Sequence, residues 1–225
     1  DSRMLKLFFI IAIQAIVTAS IFHPTAARAQ SEAAVQRALN VDDDRTIRRW
    51  LAAGGDPNRL DERGQTPLIA ALRDESFKVA AALLESPALR IDAPNHAGET
   101  ALMMAALKGQ LAWAQRLVAA GAAIHREGWT PLHYAASGGG FDVVRWLLEQ
   151  GAPIDAPSPN RSTALMMAAR YGASESVELL LARGADPRLR NDRGLSAADF
   201  ARGAGRDALA ERLTALQATP PAPRP

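Results

Sequence analysis

The residues best suited to chemistry are few. The 225-residue chain carries four histidines, and His96, His125 and His133 lie in its main body. His96 and His125 stand 29 positions apart, in successive segments of similar pattern. With Asp92 or Glu127 they would offer nitrogen and oxygen donors to a divalent metal. Carboxylates also cluster, most densely in Asp42-Asp43-Asp44. That run precedes a helical pattern, where negative charge favours the positive end of the helix dipole. There is no Gly-x-Ser-x-Gly, no His-Glu-x-x-His and no phosphate-cradling glycine loop. Cysteine is absent, so disulfides, thiolate nucleophiles and thiolate metal sites are excluded. One reading is therefore an enzyme or metal-dependent protein using loop histidines and carboxylates. The other is a protein with no catalytic residue, no metal and no cofactor. With 26 basic and 24 acidic residues, the chain lacks the charge excess of a nucleic-acid binder.

The N-terminus reads as a targeting segment. Arg3 and Lys6 precede an apolar run, Leu7 to Phe22, and His23-Pro24-Thr25 reads as a break before Ala27-Arg28-Ala29. A basic start, a short apolar run and a small-residue exit describe a secretory signal peptide over 1–29, cleaved after Ala29. The run falls short of the roughly 20 residues a membrane-spanning helix needs. A retained leader would instead give a membrane-tethered scaffold. Cleavage removes Arg3, Lys6, Arg28 and Asp1, so 23 basic and 23 acidic residues remain. The mature chain is expected in the periplasm, with no attachment to membrane or nucleic acid.

The elements that would position any site come from a repeat. Thr66-Pro67-Leu68 recurs as Thr100-Ala101-Leu102, Thr130-Pro131-Leu132, Thr163-Ala164-Leu165 and, degraded, Ser196-Ala197-Ala198. Alanine pairs follow in phase at Ala70-Ala71, Ala105-Ala106, Ala135-Ala136 and Ala168-Ala169. A second apolar helix comes next, usually closed by glycine at Gly54, Gly121, Gly151 or Gly184. Each part has a local cause. A threonine hydroxyl caps unpaired N–H groups at a helix start. Proline at the first helical position gives up a donor that had no partner. Alanine pairs let a neighbouring helix come close. Between Thr100 and Thr130 three residues are missing, so the loop between Gly121 and Gly128 is expected to be short.

Gly128-Trp129-Thr130-Pro131-Leu132-His133-Tyr134-Ala135-Ala136 resembles the ankyrin repeat. The resemblance implies an all-α solenoid of about six stacked helix-turn-helix units joined by hairpin-like loops. The repeat domain is expected over 30–217, with units near 31–61, 62–95, 96–125, 126–158, 159–191 and 192–217. The end units are expected to be atypical because each has one face without a neighbour. Residues 218–225 read as a proline-rich disordered tail.

The resemblance also implies where a partner docks: on the concave side formed by loop tips and first helices. His133 is then a structural hydrogen-bonder near its helix start. Stacking the repeats aligns Met104, Trp129, Tyr134, Met167, Leu195 and Phe200 as one apolar and aromatic strip, rich in interface-core residue types. Glu62, Arg63, His96, Arg126, Glu127, Asn160, Asp192 and Arg193 would supply its mixed-charge rim. Trp50, Trp113, Trp146, Phe77 and Phe141 read as core between repeats. The function expected is a monomeric, non-enzymatic module that binds an unidentified protein partner, as accessory, inhibitor or immunity protein of an exported enzyme.

Overall fold

The computed structural model describes residues 23–218 except Gly139, with side chains from Gln30 onward. Of the leader expected over 1–29, the residues before His23 lie outside the described residues, as does the tail expected over 218–225 from residue 219 on. Twelve helices and no strand are found among the described residues. They form six antiparallel pairs. These are α1 (His23–Asn40) with α2 (Asp44–Ala52), α3 (Pro67–Arg73) with α4 (Phe77–Leu84), and α5 (Ala101–Leu107) with α6 (Leu111–Ala119). They continue with α7 (Pro131–Gly138) and α8 (Phe141–Glu149), α9 (Ala164–Tyr171) and α10 (Ser174–Ala182), then α11 (Ala197–Gly203) and α12 (Asp207–Ala218). The break expected at His23-Pro24-Thr25 is instead the first turn of α1, where a proline fits without loss of a hydrogen bond.

Helix starts are built as the repeat requires. The hydroxyls of Thr66, Thr100, Thr163 and Ser196 each accept the backbone N–H three residues on, at 3.3–3.4 Å. The residue at that third position answers in kind. Met103 and Met166 accept the Thr100 and Thr163 N–H on sulfur at 3.4 Å, and Asp199 accepts that of Ser196 on a carboxylate at 2.9 Å. In the fourth unit His133 fills this place.

The core is one continuous seam. Leu83, Leu117, Leu147, Leu180 and Leu213 recur at one position of the second helices, all fully buried. Against them lie the alanine pairs of the first helices, also buried. Burying one such leucine stabilises by roughly 1.5–3 kcal/mol. First helices pack against one another most closely at α5–α7, α7–α9 and α9–α11, and second helices from α4 onward meet sparsely, whereas α2 and α4 lie close together. Over the third to sixth units the stack therefore curves, with first helices inside the arc. Glycine permits the tightest approach: a Cβ on Gly138 would come 1.9 Å from the Leu107 carbonyl oxygen.

Units are also tied by polar side chains. Gln110 donates to the Leu72 carbonyl at 2.9 Å, at the end of the preceding first helix. Arg206, in the corresponding place of the last unit, donates to the carbonyls of Ala168, Ala169 and Gly172, each at 3.0 Å. Ion pairs join successive outer helices, Arg48 to Glu85 and Arg212 to Glu178. Of the aromatics read as core, Trp113 is buried, while Trp50, Trp146 and Phe141 are half-buried. Phe77 departs from the expectation. It is 37% exposed because it opens α4 at the rim, one face stacked on Trp113 at 5.6 Å.

Candidate partner-binding face

Four of the interdigit loops close in the same way. Asp61, Asn95, Ser158 and Asn191 each donate their N–H to the carbonyl four residues on, at Gln65, Glu99, Ser162 and Leu195. Each turn needs a positive φ at its third step: Gly64, Gly98 and Gly194 supply it cheaply, and Arg161 adopts φ +61 without that freedom. Loops also grip one another. His96 N–H donates to the Gly64 carbonyl and Asp192 N–H to the Asn160 carbonyl, both at 3.0 Å. The His96 ring lies over Gly64, and Arg126 donates to the Gly98 carbonyl at 3.1 Å. The third finger differs. His125 stands where the others carry Asp, Asn or Ser, and it is exposed.

On the inner face, Trp129 follows that finger and meets two rings edge-on: His133 at 5.3 Å and Tyr134 at 6.4 Å between centres. His133 is 1% exposed. Its Nδ1 accepts the Thr130 backbone N–H at 3.2 Å and the Thr130 hydroxyl at 2.8 Å. A backbone N–H only donates, so Nδ1 is unprotonated and Nε2–H donates to the Ser162 carbonyl at 3.0 Å. Burial pushes the imidazole below its usual pKa, against the carbonyls of Ser162 and Ala156, which pull it up. Its task is to join one unit to the next.

Tyr134 is half-buried, and its hydroxyl donates to Glu99 at 2.9 Å. Glu99 also accepts from Asn95 at 2.6 Å, and Asn95 donates to Gln65 at 3.1 Å. Burial, then the Glu99 carboxylate, pushes the phenol well above its usual range. This chain of bonds fixes the ring across three units.

Trp129, Tyr134 and Met167 come together around a pocket of about 250 Å³, completed by Leu107, His133, Ser137 and Tyr171. The expected strip is thus shorter than its alignment implied. Met104 does not reach the surface: it is 7% exposed, because the whole run Ala101–Ala106 is clasped between neighbouring first helices. Leu107, one turn on, takes its place at the pocket wall. Leu195 and Phe200 are half-buried and stand outside this pocket, on the last unit. Tyr171, absent from the expected strip, is 59% exposed and lines the pocket. Its signal was an aromatic at the end of a first helix, where other units carry Asp74, Lys108, Gly138 and Ala204.

The rim residues fall into two groups. Glu62 and Arg63 line a second hollow of about 370 Å³ at the N-terminal end, with Glu32, Leu39, Trp50 and Arg59. His96, Glu127, Asn160, Asp192 and Arg193 are exposed on the finger tips, and Arg126 is half-buried beside them. No group of three or more His, Asp or Glu residues placed to hold a metal ion occurs among the described residues. No helix among them is long and apolar enough to cross a membrane.

A family model described as ankyrin repeats in three copies matches residues 26–127 and 114–191. The nuclear factor NF-kappa-B p105 subunit of Mus musculus is 33% identical over 61% of this chain. The B-cell lymphoma 3 protein homolog of Mus musculus is 32% identical over 64% of it. The matched stretch spans 15% and 34% of those proteins' own length. Among solved structures, the chain is similar to the immunity protein seen in complex with a predatory endopeptidase from Bdellovibrio bacteriovorus. That likeness has a TM-score of 0.66 and 28% identity, covering 81% of this chain and 97% of the other.

Proposed function

This chain belongs to the ankyrin repeat family, and from that premise we propose that it is an exported inhibitor or immunity protein, one that binds an exported enzyme on the inner face of the arc. Protein–protein interaction is the function that ankyrin repeats imply, and the fold is typically non-enzymatic. The observation that carries the docking site is the aromatic pocket of Trp129, Tyr134, Met167 and Tyr171. Its walls are held in place before any partner arrives, so little ordering entropy is lost on docking. The likeness to an endopeptidase's immunity protein, over nearly that protein's whole length, favours an enzyme as the partner. The apolar leader between Leu7 and Phe22 favours export, and with it a periplasmic partner.

The test couples capture to activity. The purified protein is used to capture partners from a periplasmic extract, the bound protein is identified, and its activity is assayed with and without this chain. Inhibition at stoichiometric addition is expected. The double substitution Trp129→Ala with Tyr171→Ala is expected to weaken binding by at least about 2 kcal/mol, close to 30-fold in Kd. A captured enzyme whose activity is untouched would end the inhibitor reading. Full capture by the folded double variant would end the assignment of the site.

A further inference from the structure

Two units carry one identical stretch, Ala-Leu-Met-Met-Ala-Ala, at 101–106 and 164–169. Its first methionine is spent on structure in both. Met103 and Met166 are 1% exposed and accept the backbone N–H of Thr100 and Thr163 on sulfur. The second methionine meets two fates. Met104 is 7% exposed, closed in by neighbouring first helices, whereas Met167 is half-buried and forms a wall of the aromatic pocket. Met167 is thus the one methionine among the described residues that is not buried. No cysteine competes with it for an oxidant, because the chain has none. A peroxide molecule, not much larger than a water with its share of about 30 Å³, has room in a pocket of about 250 Å³. The donors that Tyr134, Ser137 and His133 bring to that wall are spent elsewhere. The Tyr134 hydroxyl donates to Glu99, the Ser137 hydroxyl to the His133 carbonyl at 2.8 Å, and His133 Nε2–H to the Ser162 carbonyl. An oxygen placed on the Met167 sulfur takes nothing from these three and draws water into the pocket.

Resting on the docking site proposed above, we propose that Met167 is a reversible oxidation site through which peroxides switch that site off. The sulfur lone pair attacks one oxygen of the peroxide. An S–O bond forms, the O–O bond breaks, and the departing oxygen takes up the proton released from the transferred one and leaves as water. Sulfur gives up two electrons and the peroxide gains them. The return step takes a dithiol, which supplies two electrons, releases the oxygen as water and becomes a disulfide. The thioether is apolar and the sulfoxide is polar, so an incoming apolar side chain loses the surface against which it would shed water. The fold is spared, because Met103 and Met166, whose sulfurs serve the helix starts, are buried.

The full chain is treated with hydrogen peroxide, and sulfoxide at each methionine is followed by peptide mass mapping. Met167 is expected to oxidise about tenfold faster than Met103, Met104 and Met166, or more. Pocket occupancy is read by ligand-observed NMR with N-acetyl-phenylalaninamide as the probe. Binding is expected to vanish in Trp129→Ala with Tyr171→Ala, to weaken about tenfold on peroxide treatment, and to return after a methionine sulfoxide reductase with a dithiol. Met167→Leu is expected to keep whatever affinity it has through the treatment, and the helical circular dichroism spectrum to stay unchanged throughout. Met104 oxidising as fast as Met167, no saturable binding of the probe, binding indifferent to oxidation, peroxide-sensitive binding in Met167→Leu, or lost helicity would each overturn the inference. The wider proposal is judged separately. If Met167 oxidises first but the folded Trp129→Ala with Tyr171→Ala protein captures the enzyme in full, the docking face falls and the oxidation site stands. If the enzyme is captured through that face but Met167 is not oxidised first, the docking face stands and the switch does not.

Discussion

His133 shows how one side chain is set to a single task. Its unprotonated Nδ1 and its Nε2–H are both occupied, across two units. Protonation would put a second N–H against the Thr130 amide donor, inside a buried site. The folded protein therefore binds this proton less readily than the unfolded chain, whose imidazole titrates at about 6.5. Because the unfolded state takes up the proton first, stability is full above that pH and is lost as pH falls from 6.5 through the depressed native value. Carboxylates lowered by their partners, such as Asp43 and Asp199, act in a more acidic window, below the ordinary carboxylate value of 3.8. Melting temperature is expected to fall between pH 7.5 and 5.5, and His133→Met to flatten that slope. Methionine is the natural control, since Met103 and Met166 already receive the same amide. An unchanged slope in the variant would show that another group sets it. At this scale the sequence was partly legible. The structural role of His133 followed from its position in the repeat pattern. That methionine sulfur substitutes for the ring did not, because an amide accepted by sulfur has no residue-type signature.

At the level of the helix pair, the register of threonine, alanine pair and glycine was readable because each is a local demand of a cap, a close approach or a turn. Five of the six pairs follow directly from it, and the first is the atypical end unit. What lay beyond reach were contacts between units some thirty to forty positions apart. Arg206 is the clearest case: in sequence it is one more arginine before a helix, yet it caps the C-terminal carbonyls of α9. The burial of Met104 and the exposure of Tyr171 escaped the sequence for the same reason, since exposure is decided by how neighbouring first helices close over a position. Replacing Arg206 by alanine leaves several carbonyls without their donor. The expected cost is about 1–3 kcal/mol, or a melting point lower by roughly 2–4 °C for each kcal/mol. Arg206→Lys is expected to recover part of the loss, because one ammonium can serve some of these acceptors but not as a fork. Thermal melts of the three proteins decide it, and identical midpoints would show the cap to be idle.

Over the whole molecule, each unit touches only its neighbours, so stability is close to a sum of unit and interface terms. Removing α11 and α12 uncovers the buried alanines of α9 and discards the Arg206 cap. Denaturant unfolding of that truncated protein is expected to start earlier and to spread over a broader transition than in the full chain. A single sharp transition of unaltered midpoint would contradict the additive picture.

The uneven spacing of the two helix layers has a mechanical consequence. Beyond the second unit, closely packed first helices resist being pulled apart, while the sparsely joined outer layer yields. A load along the stack is then taken up by flexing about the inner edge, as in a leaf spring anchored on one side. The separation of the outer helices beyond α4 becomes the soft coordinate of the protein, while the aromatic pocket and the mutually bonded fingers, seated on the stiff side, keep their shape against an incoming surface.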